Sequence, residues 1–393
     1  MNQSQALYDT SAALALIDPW LRAHLPTLDE AVTRRFIQLV TGIFEERSLL
    51  LETIAESSAF AGTDSSNVTQ VRRIIRDVRI TLKDVFYPLL KQLIAELPND
   101  VLYITMDETS HHTDYCVVQV GLATDGVSLP LGFHLYAPDA AWADDARELL
   151  EAIDDILPHR CRIVLLADRV HTGEPFLTCL DELQWYYVFR ASESTQIEHP
   201  TLGWMPLKRV YKRANTGRYL SQVRIWKQGA RRINVSIYKL VRKGFRTTIW
   251  YIVSDLPAAQ ERLAEYACRW WQECTFKDCK SNMFDWERGR VTKTERVLVL
   301  LMGFGVTCWA LWLLGRTHEH IPQCKETTTR PQPRRRNILK HGAITFRTKT
   351  KRREPLMLPK LVATRVLEYP RFFLPAKVPK GHQDATRYQD VMQ

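Results

Sequence analysis

Four absences narrow what this 393-residue chain can be. No C-x-x-C pair occurs among its eight cysteines, at positions 116, 161, 179, 268, 274, 279, 308 and 324. Neither a redox dithiol nor a ribbon-type zinc site is therefore written in it, and the thiols are expected to be reduced and mostly buried. Cys308, His318, His320 and Cys324 are metal-ligand types, but their irregular spacing does not read as zinc. No basic n-region opens residues Met1 to Asp18, so nothing there reads as a secretory signal, and a cytoplasmic protein is expected. Long uncharged runs are missing but for one, Val297 to Gly315, nineteen residues without a charge. That length meets the criterion for a membrane span, yet the run contains Gly303, Gly305 and Thr307, and the expected structure is a buried helix. Acidic residues, finally, vanish between His199 and Trp250, where 13 Lys and Arg stand with none.

What is present is unevenly placed charge. The net charge is +10, from 54 basic and 44 acidic residues. Residues 321–393 hold 17 Lys/Arg against 5 Asp/Glu, a net of +12, so residues 1–320 net −2. The acid-free stretch carries Trp204, Tyr211, Tyr219, Trp226, Tyr238, Phe245 and Trp250 among its cations. Tyr219 to Lys227 and Arg232 to Val241 alternate in the manner of strands. Basic side chains interleaved with aromatics suit a nucleic-acid surface.

Two short apolar runs end in aspartates. Val101 to Met106 leads into Asp107-Glu108-Thr109, and Ile163 to Ala167 leads into Asp168-Arg169. Continuous apolar runs of this length are consistent with strands buried on both faces. Between them, Cys116 to Leu122, the turn Thr124-Asp-Gly-Val127 and Leu131 to Leu135 read as a hairpin. Trp142 to Ile156 follows, with Trp142, Ala146, Leu149, Leu150 and Ile153 on one helical face. A helix near Glu174 to Glu182 and a strand from Trp185 to Phe189 complete a strand-strand-strand-helix-strand-helix-strand order. Glu108 is expected on the opposite strand face from Asp107, and His111 and His112 read as loop residues.

Further on, Tyr266, Arg269, Glu273 and Lys280 spell Y-x2-R-x3-E-x6-K. At about 100° per residue these four fall within about 60° of one another on a continuous helix. This signature, with the two upstream aspartates in order, resembles the DDE-class transposases of bacterial insertion sequences, in the family named for its Y-R-E-K residues. The resemblance covers residues about 30 to 320. It implies an α/β fold with a ribonuclease H-like catalytic core at 99–192 and 254–320. A basic β-rich insertion (193–253) would interrupt that core, an all-helical DNA-binding domain (1–98) would precede it, and a basic C-terminal arm (321–393) would follow.

The resemblance also assigns roles. Asp107, Asp168 and Glu273 would be the catalytic residues and the ligands of two Mg²⁺ ions, with Mn²⁺ able to substitute and Asp107 bridging both. Paired divalent cations roughly 3.5–4 Å apart stabilise the attacking and leaving oxygens of phosphodiester chemistry, and Mg²⁺ favours carboxylate oxygens. Arg269, Lys280, Tyr266 and Arg169 would contact DNA, and Trp226 would stack on a displaced base. In the N-terminal region Arg72, Arg76, Arg79 and Lys83 follow a 4-3-4 spacing, with Val71, Ile75, Val78 and Leu82 one residue earlier. That spacing predicts one helix with a basic face toward phosphates, ended or kinked at Pro88. Ala31 to Glu56, with Arg34, Arg35 and Arg47, would complete a helix-turn-helix-like unit.

The expected function is to bind the ends of an insertion element, cleave them hydrolytically and join the 3′-hydroxyls to target DNA. The partners are double-stranded DNA and a second subunit, with no membrane, and the place of action is the nucleoid. The rivals are a non-catalytic DNA-binding protein derived from a transposase, a ribonuclease H-like nuclease without strand transfer, and a membrane protein built on residues 297–315.

Overall fold

The N-terminal apolar spacing closes into helices. In the computed structural model, which describes residues 11–140, 143–168, 173–212, 218–226, 231–240, 247–317 and 337–359, α1 (Ala12–His24) is capped by the Ser11 hydroxyl and α2 (Glu30–Glu46) by the Asp29 carboxylate. Such side chains accept from backbone N–H groups the helix itself cannot satisfy. Three shorter helices follow, α3 (Leu51–Ala55), α4 (Asp64–Ile74) and α5 (Tyr87–Ala95).

The basic stripe predicted for one helix does not form. α4 stops at Ile74, and Arg76 and Arg79 lie in a turn built on Asp77. The Asp77 carboxylate accepts the Arg79 backbone N–H at 3.2 Å and pairs with the guanidinium groups of Arg79 at 2.9 Å and Arg35 at 2.5 Å. A short side chain that bonds the backbone two residues on favours a turn over a continuing helix. Val78, expected on the apolar face, is 88% exposed. Lys83 sits in a separate π-helical turn, Leu82–Phe86, whose start is capped by Thr81. Pro88 lies in the first turn of α5 and opens that helix, where a missing N–H costs nothing.

The strands and helices then arrive in the expected order. β1 (Val101–His111), β2 (Tyr115–Thr124) and β3 (Val127–Tyr136) form an antiparallel meander. Asp125 and Gly126 make the two-residue β2–β3 turn, with φ of 48° and 86°, the left-handed pair that an Asp-Gly hairpin selects. Helix α6 (Ala143–Asp154) precedes β4 (Arg162–Ala167), which pairs with β1 in parallel. α7 (Glu174–Glu182) and β5 (Tyr186–Ala191) follow. β2 is buried along its whole length, so both its faces are covered.

Among the described residues two compact units separate, one of those up to Tyr187 and from Cys268 onward, the other within Val188–Ala267. In the second unit β5 continues into the order β5-β10-β9-β8, all antiparallel, from β8 (Arg218–Arg224), β9 (Arg232–Leu240) and β10 (Thr248–Ser254). A small hairpin, β6 (Gln196–His199) with β7 (Gly203–Pro206), and a short helix α8 (Leu207–Lys212) precede them. β8 is bulged between Leu220 and Val223, where Gln222 takes φ 52° and donates its N–H to the Asn234 side chain. α9 (Glu261–Ala267) closes this unit.

In the first unit the chain resumes as α10 (Trp270–Lys277), a π-helical turn (Asp278–Asn282) and α11 (Thr294–Arg316). α11 contains the uncharged run and is long and apolar enough to cross a membrane, and 94% of its apolar 18-residue stretch is buried inside the protein. It packs against α2 and β3. Its two indoles are anchored, Trp309 Nε1 donating to the Pro130 carbonyl at 3.0 Å and Trp312 Nε1 to Asp125 at 2.8 Å. Buried tryptophans need such partners.

The segment after residue 321 was expected as a basic arm, and part of it is helical. α12 (Ile338–Arg352) lies on α11, with Phe346 edge-on to Phe44 at 4.9 Å. The approach is so close that a Cβ on Gly342 would meet the Leu311 carbonyl oxygen at 1.9 Å. The cationic composition hid an apolar face of Ile338, Leu339, Ala343 and Phe346. Cys324, His318, His320, Lys227, Trp142 and Arg169 lie outside the described residues, as does most of the tail. The seven described cysteines are free thiols, all buried but Cys274.

Candidate active site

The registers of β1 determine what stands beside Asp107. Met106 pairs with Ala167 of β4, so Asp107 and Asp168 are the next residues on two parallel neighbours. Side chains alternate along a strand, so Thr105 and Asp107 share a face. Thr105, fully buried, bonds the Gln272 side chain of α10 at 2.8 Å and the Ser128 hydroxyl of β3 at 2.6 Å. Ser128 in turn donates its backbone N–H to the Thr275 hydroxyl at 2.9 Å. These three bonds clamp α10 onto the sheet, and Glu273, next to Gln272, reaches the Asp107 side.

A guanidinium joins the two acids. Arg269 donates to Asp107 Oδ2 at 2.6 Å and to Glu273 Oε1 at 2.5 Å. Its side chain is 11% exposed, that of Asp107 20% and that of Glu273 29%. The Glu108 backbone N–H adds a bond to Asp107 Oδ1 at 3.0 Å. Burial pushes the Asp107 carboxyl above its usual range; Arg269 and the Glu108 N–H oppose this, and the charges of Glu273 and Asp168 add to it. Two further negative charges thus act on Asp107 beside its one bonded cation.

Among the described residues, no three His, Cys, Asp or Glu side chains stand at metal-ligand spacing. The cation between Asp107 and Glu273 is the Arg269 guanidinium. Asp107, Asp168 and Glu273 offer oxygen donors only, the type that hard cations such as Mg²⁺ take.

The Y-R-E-K residues do not share one helix. α9 ends at Ala267, and Cys268 and Arg269 form a turn before α10 begins. Lys280 lies in the π-helical turn that follows. Only Arg269 and Glu273 keep the i,i+4 relation. Tyr266 is 2% exposed and packs edge-on against Trp250 at 5.1 Å, both in the second unit.

Other residues singled out from the sequence fall elsewhere. Glu108 is exposed. His111 ends β1, buried against Tyr115 with stacked rings 5.0 Å apart, and its Nε2 lies 3.2 Å from the Trp286 carbonyl. His112, at φ 49°, is in the turn and reaches the Glu287 carbonyl. Trp226 follows β8 at φ 57°, with its backbone N–H on the Gln196 carbonyl at 3.0 Å. Sequence reasoning passed over Thr105, Gln272 and Thr275. Their signal was a polar residue inside an apolar run, two before Asp107, and two more flanking Glu273.

With that geometry in hand, comparison with known proteins is informative. The family model described as "Transposase DDE domain" matches residues 104–311, more than half of the chain, and spans Asp107, Asp168, Arg269 and Glu273. No curated protein matches. Among solved structures, the chain is similar to a cryo-EM structure of the piggyBac transposase synaptic complex with hairpin DNA. The identity is 11%, the TM-score 0.45, and the coverage 90% of this chain and 81% of that one. So distant a likeness adds nothing to the fold described above. The family match, placed over the strand meander, the parallel strand and the helix that carry the three acids, shows that the chain belongs to the transposase DDE domain family.

Proposed function

We propose that this protein binds the two ends of its own insertion element, hydrolyses the phosphodiester bond at each boundary and transfers the freed 3′-hydroxyls to target DNA. The observation that carries the reading is the Arg269 bridge between Asp107 and Glu273, beside the strand end bearing Asp168. The meander β1-β2-β3, the parallel β4 and the acids on β1, after β4 and on a later helix are the arrangement expected of a ribonuclease H-like core. The Y-R-E-K insertion-sequence family is the membership we favour, on Tyr266, Arg269, Glu273 and Lys280.

Asp107, Asp168 and Glu273 would hold two divalent cations, Mg²⁺ with Mn²⁺ as substitute. When bound, the ions supply charge stabilisation at the attacking and leaving oxygens of an in-line displacement. The chain's own part is placement. Thr105, Gln272 and Thr275 hold α10 against β1, so the carboxylates are set before substrate arrives. Arg269, released from one carboxylate, is within a side chain's reach of a phosphate seated there, and a guanidinium pairs with phosphate bidentately. The acid-free surface of residues 199–250 would track the DNA backbone. No protein nucleophile is required, because water and then the 3′-hydroxyl attack the phosphorus. Two subunits are expected in the end-bound complex, since strand transfer joins two ends.

The test is the purified protein with DNA carrying the element's boundaries, in Mg²⁺, beside Asp107→Ala. Boundary cleavage lost in the variant, together with joined products in a strand-transfer assay, supports the reading. Cleavage without joining would make it a nuclease. Binding without cleavage, in Mn²⁺ and with pre-nicked ends as well, would make it a DNA-binding relative that no longer cuts.

A further inference from the structure

A cleft of about 600 Å³ opens in the first unit, between residues 49–76 on one wall and 288–296 on the other. Six cations line it, Arg72, Arg76, Arg288, Arg290, Lys293 and Arg296, against one acid, Glu52. Two of the six have distant carboxylate partners, Arg72 with Glu52 at 3.5 Å and Arg288 with Asp285 at 3.7 Å. The other four make no ion pair among the described residues. All but Arg296 are exposed. The start of α11 also meets this cleft. Lys293 is its N-cap, and no side chain caps it, so the positive end of a 23-residue helix adds to the six charges.

Like charges gathered on facing walls repel one another, and a run of anions on the cleft floor removes that cost. The rest of the lining is Leu49, Leu50, Leu51, Ile75, Val291 and Thr292 with Gly289; it has no Asn or Gln to read base edges. Cations that contact phosphate oxygens position a backbone and carry no sequence information.

We propose that this cleft seats the phosphodiester backbone of duplex DNA, held without sequence preference by Arg290 and Lys293 from one wall and Arg72 and Arg76 from the other. The proposal rests on the transposase reading and extends it, because Arg288, Arg290, Lys293 and Arg296 lie past the catalytic helix. It also gives Arg72 and Arg76 a shared site although they do not share a helix.

The experiment measures binding of fluorescent duplexes of unrelated sequence to the full-length protein over a series of salt concentrations. Each phosphate contact contributes about 0.9 to the slope of log K against log salt. Arg290→Gln/Lys293→Gln should lower that slope by about 2 and weaken binding at low salt at least about ten-fold, equally for every sequence. Arg76→Gln should lower it by about 1. In wild-type protein, bound duplex should protect Lys293 from acetylation and leave the exposed Lys91 reactive; this readout needs no variant to fold. An undiminished slope, or Lys293 unprotected while wild-type protein binds duplex, would overturn the cleft and leave the transposase reading intact. Absence of any duplex binding by wild-type protein would remove both. Boundary cleavage lost in Asp107→Ala tests that reading separately.

Discussion

Glu273 and Arg269 act on one another at 2.5 Å, yet their variants should behave oppositely. Glu273→Gln keeps the shape of the side chain and removes one charge. It should bind element ends as wild type does while cleavage falls by at least about 10³-fold, or about 4 kcal/mol of transition-state stabilisation; retained cleavage would take Glu273 out of the site. Arg269→Gln leaves Asp107 and Glu273 facing each other without their shared cation. Thermal unfolding in EDTA should show a loss of about 2 kcal/mol, below the range for a fully buried pair because these groups are partly exposed. Added Mg²⁺ should restore part of it, and a variant as stable as wild type in EDTA would deny the bridge. Asp77 offers a pH test far from the acids. Its pairing with Arg79, then Arg35, holds the carboxyl well below the usual range. A depressed carboxyl contributes stability above its unfolded value of about 3.9 that is lost as pH falls through the folded value. Asp77→Asn should therefore unfold more easily than wild type by about 1–2 kcal/mol at pH 7. The difference should shrink below about pH 4; a pH-independent gap would assign the effect to packing alone.

Helix breaks decide most at the element scale. The Y-R-E-K spacing suits one continuous helix, and the chain breaks it twice, at Cys268-Arg269 and again at Asp278. The second break has a visible cause. Asp278, buried, bonds the Asn337 side chain and lies 3.6 Å from Lys340, so it ties the π-helical turn to the start of α12. That partner lies 59 residues away, and no local pattern announces it. The same limit explains the lost basic stripe: Arg72, Arg76, Arg79 and Lys83 have helical spacing, but Asp77 binds Arg35 across 42 residues and turns the chain. Gly342 tests the α11–α12 contact. Gly342→Ala should cost about 2–4 kcal/mol in chemical denaturation, since its Cβ would overlap the Leu311 carbonyl and a well-packed contact cannot shift freely. A neutral substitution would mean that α12 does not pack there.

At the scale of the whole molecule, the long apolar helix and the uneven charge each have one consequence. α11 is buried among α2, β3 and α12, so it has no apolar face left for lipid. The expressed protein should stay in the supernatant of a high-speed spin without detergent, and recovery in the membrane pellet would contradict its burial. If the proposed joining of two ends uses two protomers, light scattering after mixing with element-end duplexes should give the mass of a complex of two chains and two duplexes. A complex with the mass of a single chain and a single duplex, under conditions that support joining, would refute that assembly.

Local patterns determined the order of strands and helices through β5, the Asp-Gly hairpin and the buried apolar helix. In each, the physics is short-ranged: alternation, helical period, turn chemistry and the reach of an apolar run. Only the tertiary structure decided that Arg269 bridges Asp107 and Glu273 and that Thr105, Gln272 and Thr275 clamp α10 to the sheet. It also decided that a basic tail hides a packed helix, and that cations from residues 72–76 and 288–296 share one cleft. The bonds among those facts that hold the acids and α10 join residues 147 to 167 positions apart, and the cleft walls are more distant still. Charge and hydrogen bonding act through space, and the sequence orders residues only along the chain.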